Sequence, residues 1–311
     1  MLPQVVPRGK LVIAHPERKA QRGLQRLAGA TLCPVEIVDN VEALIAAVDD
    51  TTIAVVDSTI ATQHPSLRER PARAWISVPG EGLSAADPVA LDTLLVAGWT
   101  HVISHPMPLL GEELLATVQK LLRTDVFGLE KYVAWGAEVR VYTLEDATER
   151  EAAVSALAKD VVAVGLPDRV GSMVSVIADE LIANALYVAP VDAAGVHHRI
   201  AESREERRVL TGRDVVTVRW ATDARYLAIE VTDRWGTLDT SLVGPRLASS
   251  AKRAPSEGGM GLPLVYACCN QFVVQVEPTV RTEVITLLDV RYKPTELGRG
   301  ASFHTFVGAA P

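Results

Sequence analysis

Five short apolar runs separated by helix-like stretches constrain the first part of this chain more than any other feature. They are Lys10–Ala14, Val35–Val38, Ile53–Val56, Trp75–Val78 and His101–Ser104. Runs without polar alternation read as strands buried on both faces. Between them, Arg18–Leu27, Val41–Val48, Ser66–Arg70 and Pro88–Val96 carry helical patterns, and Gly111–Leu122 follows the last run. The alternation predicts an α/β fold over residues 9–122, with a doubly wound parallel five-stranded sheet. Ligand sites in such sheets lie at the carboxyl ends of the strands.

The remainder reads differently. Residues 123–137 look like a connector, with Arg123–Ala134 as a short helical piece. Glu138–Leu144 alternates like a half-buried strand, and Asp146–Val164 like an amphipathic helix. In Val170–Gly195, apolar residues at Val174, Ile177, Ala178, Leu181, Ala185 and Leu186 give a helix that buries one face. Glu180 and Asn184 are one turn apart on a single face. A carboxylate and an amide in so apolar a helix need partners. A metal ion with its phosphates would supply them; a solvated polar stripe is the plainer reading. Further on, His197–Arg213 is charge-dense and solvated, and Val215–Trp220 with Tyr226–Thr232 forms a hairpin that ends in Asp233-Arg-Trp-Gly236. Gly244–Glu257 is polar and unpatterned, as a mobile loop would be. Gly258-Gly-Met-Gly-Leu then enters an apolar helix, and Phe272–Val276, Val284–Arg291 and Ser302–Val307 are three more strands.

With 311 residues the chain has room for two domains, and 48% hydrophobic with 22% charged residues is a soluble, core-forming composition. A net charge of −7 gives no basic footprint, which argues against a nucleic-acid partner. The three cysteines, Cys33, Cys268 and Cys269, lack metal-ligand spacing, and adjacent Cys268 and Cys269 on an apolar run read as small buried side chains in a reducing cytosol. No apolar run reaches membrane-spanning length, and Arg8 and Lys10 interrupt the N-terminus too early for a signal peptide. A cytoplasmic protein without membrane insertion is expected.

Over roughly its first 120 residues the chain resembles a response-regulator receiver (CheY-like) domain of two-component systems. In that family the first strand ends in an acidic pair that holds Mg²⁺, the third in the phosphorylated Asp, the fourth in Ser or Thr, and the fifth in Lys-Pro. Here the third strand gives Asp57 and the fourth Ser77, but the first ends in His15-Pro16-Glu17 and the fifth in His105-Pro106. Hard cations want oxygen ligands, and the lost Lys removes a charge that would hold phosphate. The resemblance therefore implies a pseudo-receiver, a docking or dimerising module, with Asp57 and Ser77 at an inactive phosphoacceptor position. Glu17 leaves metal binding open. His15 and His105 are expected as two unpaired surface histidines, with a pH-sensing or metal-binding pair as the alternative.

From roughly Glu138 to Val307 a second resemblance appears. Glu-x-x-x-Asn-Ala on a helix, Asp-x-x-Gly after a strand, a loose loop and Gly-x-Gly-Leu entering a helix form an ordered set. The set is similar to the GHKL (Bergerat-type) ATPase domain shared by gyrase-type ATPases, histidine kinases and anti-sigma-factor serine kinases. Gly259-x-Gly261 alone is weak, since a simple helix-entry turn explains it equally well; order and spacing carry the likeness. The resemblance implies an α/β-sandwich over residues 138–311 that binds ATP and Mg²⁺. Asn184 would be the Mg²⁺ ligand, Glu180 the catalytic base, and Asp233 the reader of the adenine amino group. Gly236, Gly259, Gly261 and Leu262 would lie at the nucleotide, and residues 237–257 would form a lid. Departures are Trp235 where the family has Gly, a single Gly236 one position late, and Tyr187 where kinases often carry a cation. Trp235 would narrow the adenine pocket or stack on the base.

None of the seven histidines lies between positions 106 and 196, so the chain lacks the phosphoacceptor of an autophosphorylating histidine kinase. Two functions follow. One is a cytoplasmic signal-transduction regulator that binds ATP and switches or phosphorylates another signalling protein, which leaves open a weak ATPase or a kinase acting in trans. The other is a non-catalytic interaction scaffold with a nucleotide-free GHKL fold. A homodimer through the receiver-like face is compatible with either.

Overall fold

A computed structural model describes residues 9–80, 82, 87–204, 206–249, 261–291 and 300–308. The chain is α/β and divides into two compact units. The first runs to Val126 and also takes in Gly244–Ser249 and Gly298–His304; the second comprises Phe127–Val243, Ser250–Leu297 and Thr305–Pro311. The sequence reading placed both returning segments of the first unit in a contiguous second domain.

In the first unit, β1 (Lys10–Ala14), β2 (Val35–Val38), β3 (Thr52–Asp57), β4 (Ala74–Val78) and β5 (His101–Val102) pair in the order β2-β1-β3-β4-β5, all parallel. β3 and β4 are buried at every position, because helices cover both faces of a parallel sheet. The helices are α1 (Arg18–Gly29), α2 (Val41–Ala47), α3 (Ser58–Gln63), α4 (Pro88–Val96) and α5 (Leu109–Arg123). Leu24 of α1 and Leu110, Leu114 and Val118 of α5 pack with Leu11, Ile13, Val55 and Ile103 in one core. The unit has a strand that the sequence reading did not assign to it. The residues of β11 (Ser302–Val307) up to His304 pair antiparallel with β5, Phe303 opposite Val102 and His304 opposite His101.

In the second unit, β6 (Arg140–Leu144), β7 (Val216–Thr222), β8 (Tyr226–Asp233), β9 (Gln271–Glu277) and β10 (Arg281–Asp289) form antiparallel pairs in the order β9-β10-β8-β7-β6. Helices α6 (Arg150–Ala163), α7 (Asp168–Ala183) and α9 (Gly261–Cys268) pack together, with α7 against β8. Asp168–Val188 is long and apolar enough to cross a membrane by composition, contrary to the sequence expectation, yet it is mostly buried inside the protein. Val174, Ile177, Ala178 and Leu181 are its core face.

Two local expectations need correction. The connector is not a helix: α5 ends at Arg123, and only a 3-10 turn, Leu129–Lys131, follows. That turn is held by carboxylates of the sheet, since Gly128 N–H donates to Glu283 at 2.9 Å and Leu129 N–H to Glu230 at 2.8 Å. The supposed loop from Gly244 begins inside a helix, α8 (Thr240–Ser249), which contains Pro245. Residues 250–257 lie outside the described residues.

Candidate functional site

In the second unit the polar residues singled out from sequence gather around the end of α7. The helix widens into a π turn over Asn184–Val188, where Ala189 N–H donates to Asn184 O at 2.9 Å. Such single-turn widenings recur at functional sites. Here it follows directly on the Glu180–Asn184 face. Gly261, the first residue of α9, lies against both: a Cβ there would overlap Glu180 Oε2 and lie 3.3 Å from Glu180 Cδ and 3.8 Å from Asn184 Nδ2. A side chain there would push the flexible Glu180 carboxylate aside, so the contact measures how closely the two elements approach. Asn184 Nδ2 is buried and has no hydrogen-bond partner among the described residues. Three residues singled out from sequence thus converge at a helix N-terminus, where partial positive charge favours anions. Leu262, next in α9, is half-buried. Gly259 lies outside the described residues.

Asp233 ends β8 and is buried. Its Oδ1 accepts from Trp235 N–H at 2.8 Å and Gly236 N–H at 3.3 Å, so it ties its own turn together. Burial pushes its carboxyl above the usual range, while those two amides pull the other way. Gly236 has φ +62, and a Cβ there would overlap Glu277 O and lie 2.7 Å from Val280 N and 2.8 Å from Thr279 N. The turn is therefore packed on the β9–β10 hairpin. Thr237, which the sequence reading placed only as the start of the lid, donates to Ala189 O at 2.6 Å and fastens this turn to the segment after the π turn. Nothing in the local sequence marks it, since a lone Thr after a Gly is ordinary.

Trp235 carries the Arg213 guanidinium 4.6 Å from its ring centroid and that of Arg199 at 6.0 Å. Arg213 is fixed in turn by carbonyls of Thr279 at 2.7 Å, Arg234 at 3.1 Å and Trp235 at 3.2 Å. Tyr187, where a phosphate-binding cation was looked for, has Arg208 over its ring at 5.5 Å. Two open grooves of about 800 and 560 Å³ occur in this unit, one between β6 and α6 and one beside Arg213 and Arg281. Neither is lined by Glu180, Asn184 or Asp233.

In the first unit Asp57 ends β3 and caps α3, its Oδ1 accepting from Thr59 N–H at 2.9 Å and Ile60 N–H at 3.1 Å. Its Oδ2 faces His15 Nε2 at 3.5 Å, with both side chains buried. His15 Nδ1 accepts from Glu17 N–H at 3.1 Å, which leaves the ring proton on Nε2, the nitrogen that faces Asp57. Ser77 Oγ is also buried and has no hydrogen-bond partner among the described residues. Glu17 accepts from Gly82 N–H at 3.0 Å. His15 is thus not at the surface. Neither is His105, which is buried with Nδ1 2.7 Å from Glu113. The two histidines do not pair with each other; each has its own carboxylate.

Among the described residues no group of three His, Cys, Asp or Glu side chains is arranged to hold a metal ion. No protein-family model matches the sequence, and no characterised protein matches it significantly.

Proposed function

We propose that this chain is a cytoplasmic signal-transduction regulator in which a receiver-like unit without phosphoacceptor activity is joined to a GHKL-like unit. The second unit binds ATP with Mg²⁺ and thereby switches or phosphorylates another signalling protein. The observation that carries this reading is the convergence of Glu180, Asn184 and Gly261 at the start of α9, with a buried Asn184 amide lacking a partner. Mg²⁺ on a nucleotide takes only one or two protein ligands beside phosphate oxygens, so the absence of a three-residue cage among the described residues does not count against it. The cation would neutralise phosphate charge. Asn184 would supply the protein ligand, and Glu180 would hold the proton of an acceptor hydroxyl on the partner. The order β2-β1-β3-β4-β5 is one of the two common doubly wound orders and supports the receiver-like reading.

A calorimetric titration with ATP, with and without Mg²⁺, tests the proposal. Saturable Mg²⁺-dependent binding is expected, weakened about tenfold or more by Asn184→Ala, as loss of one charge-assisted contact would produce. No binding at millimolar nucleotide, with the chain shown folded, would leave the second reading. That reading is a nucleotide-free scaffold, favoured by Asp233 being engaged with its own turn.

The first unit carries its own prediction. His15 stands beside Asp57 where a cation would have to neutralise incoming phosphate. Incubation with a small acyl-phosphate donor and Mg²⁺ is expected to leave the intact mass unchanged; a single phosphoryl adduct on Asp57 would show the unit to be an active receiver.

A further inference from the structure

The groove of about 560 Å³ beside the β9–β10 hairpin carries more positive charge than its own residues balance. It is lined by Arg213, Arg234, Glu277, Thr279, Val280 and Arg281. Three guanidinium groups thus share a surface with one carboxylate, on a chain whose net charge is −7. Arg213 is held by the carbonyls of Arg234, Trp235 and Thr279, and Arg234 by that of Gly212 at 3.3 Å. Carbonyls fix a guanidinium without neutralising it. Among the described residues neither of these two arginines meets a carboxylate: Asp214 is taken by Arg199 at 2.8 Å, and Glu277 by Arg281 at 3.0 Å. Arg281 also lies over the Phe127 ring, 3.6 Å from its centroid, as Arg213 does over Trp235. The three heads are already ordered, so a ligand would not have to immobilise them.

We propose that this groove docks an acidic segment of a partner protein, whose carboxylates take the remaining guanidinium donors. Arg213 bonds through Nε and Nη2, Arg234 through Nη1 and Arg281 through Nε, so each retains N–H groups for a ligand. Three features favour a peptide over a small anion. The arginines come from three elements: the 3-10 turn Gly212–Asp214, the residue after β8, and the start of β10. The N–H groups of Thr279 and Val280 are spent on Gly236 O and Glu277 O, so the hairpin offers no amide nest to an inorganic ion. Val280, 37% exposed, adds an apolar floor that side-chain methylenes can cover. Glu277 opposes such a ligand, because it competes for Arg281. Glu180, Asn184 and Asp233 do not line the groove, so the docking surface stands whether or not this unit binds ATP.

The test is fluorescence anisotropy on the full chain without nucleotide. The probe is a short fluorescein-labelled peptide of alternating glutamate and glycine, with its glutamine counterpart as control. Saturable binding of the glutamate peptide alone is expected, weakening as ionic strength rises from about 0.05 M to about 0.3 M. Arg234→Glu is expected to weaken it about tenfold, since reversal replaces an attraction by a repulsion. The exposed Arg234 side chain makes a single hydrogen bond, at 3.3 Å, so the fold should tolerate the change. Glu277→Gln removes the competing carboxylate and is expected to tighten binding about threefold. A gain of affinity cannot come from misfolding. Equal binding of the glutamine peptide, no binding at the lower ionic strength, or unchanged affinity in both variants would overturn the proposal. So would displacement of the peptide by millimolar inorganic phosphate beyond the effect of chloride at equal ionic strength, which would make the groove a small-anion site.

Discussion

Gly236→Ala is expected to destabilise the second unit by about 2–5 kcal/mol, lowering its thermal transition by roughly 10 °C. Two effects add. The residue has φ +62, a left-handed conformation that costs a side chain about 1–2 kcal/mol. Its Cβ would also overlap Glu277 O and crowd two backbone nitrogens of the β9–β10 turn, and backbone cannot rotate aside as a flexible side chain can. Gly212→Ala is the control, since Gly212 has φ +57 with nothing within 4 Å of an added Cβ. Scanning calorimetry should show only the conformational cost there. Equal losses in the two variants would mean that packing on the hairpin contributes nothing. The comparison bears on function too, because close backbone packing already accounts for a glycine at position 236 without any nucleotide.

What could be read from sequence follows the range of the interactions involved. The five runs of the first unit were legible because strands covered on both faces must be largely apolar, and β3 and β4 are buried at every position with polar side chains only at Thr52, Asp57 and Ser77. The Glu180–Asn184 spacing was legible because helical periodicity is local. Its meeting with Gly261 was not, because that depends on how α7 and α9 pack. α3 escaped notice for a different reason: it is a single short helix started by Asp57, and the aspartate drew attention as a phosphoacceptor rather than as an N-cap. Pro245 hid α8, since a proline inside a helix removes a hydrogen bond and reads as a breaker. The histidines were the largest gap. His101, His105 and His304 look like unrelated polar residues until a strand from the far end of the sequence pairs with β5. No composition or period marks a contact of such sequence separation.

Glu113→Ala puts that last arrangement to a quantitative test. Near neutral pH the variant is expected to lose about 3–5 kcal/mol of stability in the first unit, because it strips His105 and His304, each 2.7 Å from Glu113, of their buried carboxylate. Burial alone would raise the Glu113 pKa. The His105 and His304 rings outweigh it and hold the group down from 4.5 to about 2. A depressed carboxyl stabilises the fold above its unfolded value, and the contribution, about 3 kcal/mol here, fades as pH falls from 4.5 toward 2. The wild-type protein should therefore show an acid limb that the variant largely lacks. Exchange of the most protected β1 and β3 amides, followed in urea at neutral and acidic pH, separates the two curves. Glu113→Gln keeps one acceptor and the side-chain volume but no charge, so it should fall between them at neutral pH and share the flat acid limb of the alanine variant. If the alanine variant kept the wild-type acid limb, Glu113 would be a bystander, and the depressed ionisation would have to reside in another carboxylate. If the limb vanished while neutral stability held, the histidines would be satisfied without it, and Ser302, whose Oγ accepts from Ser104 N–H at 2.9 Å, would be the residue that fastens the strand.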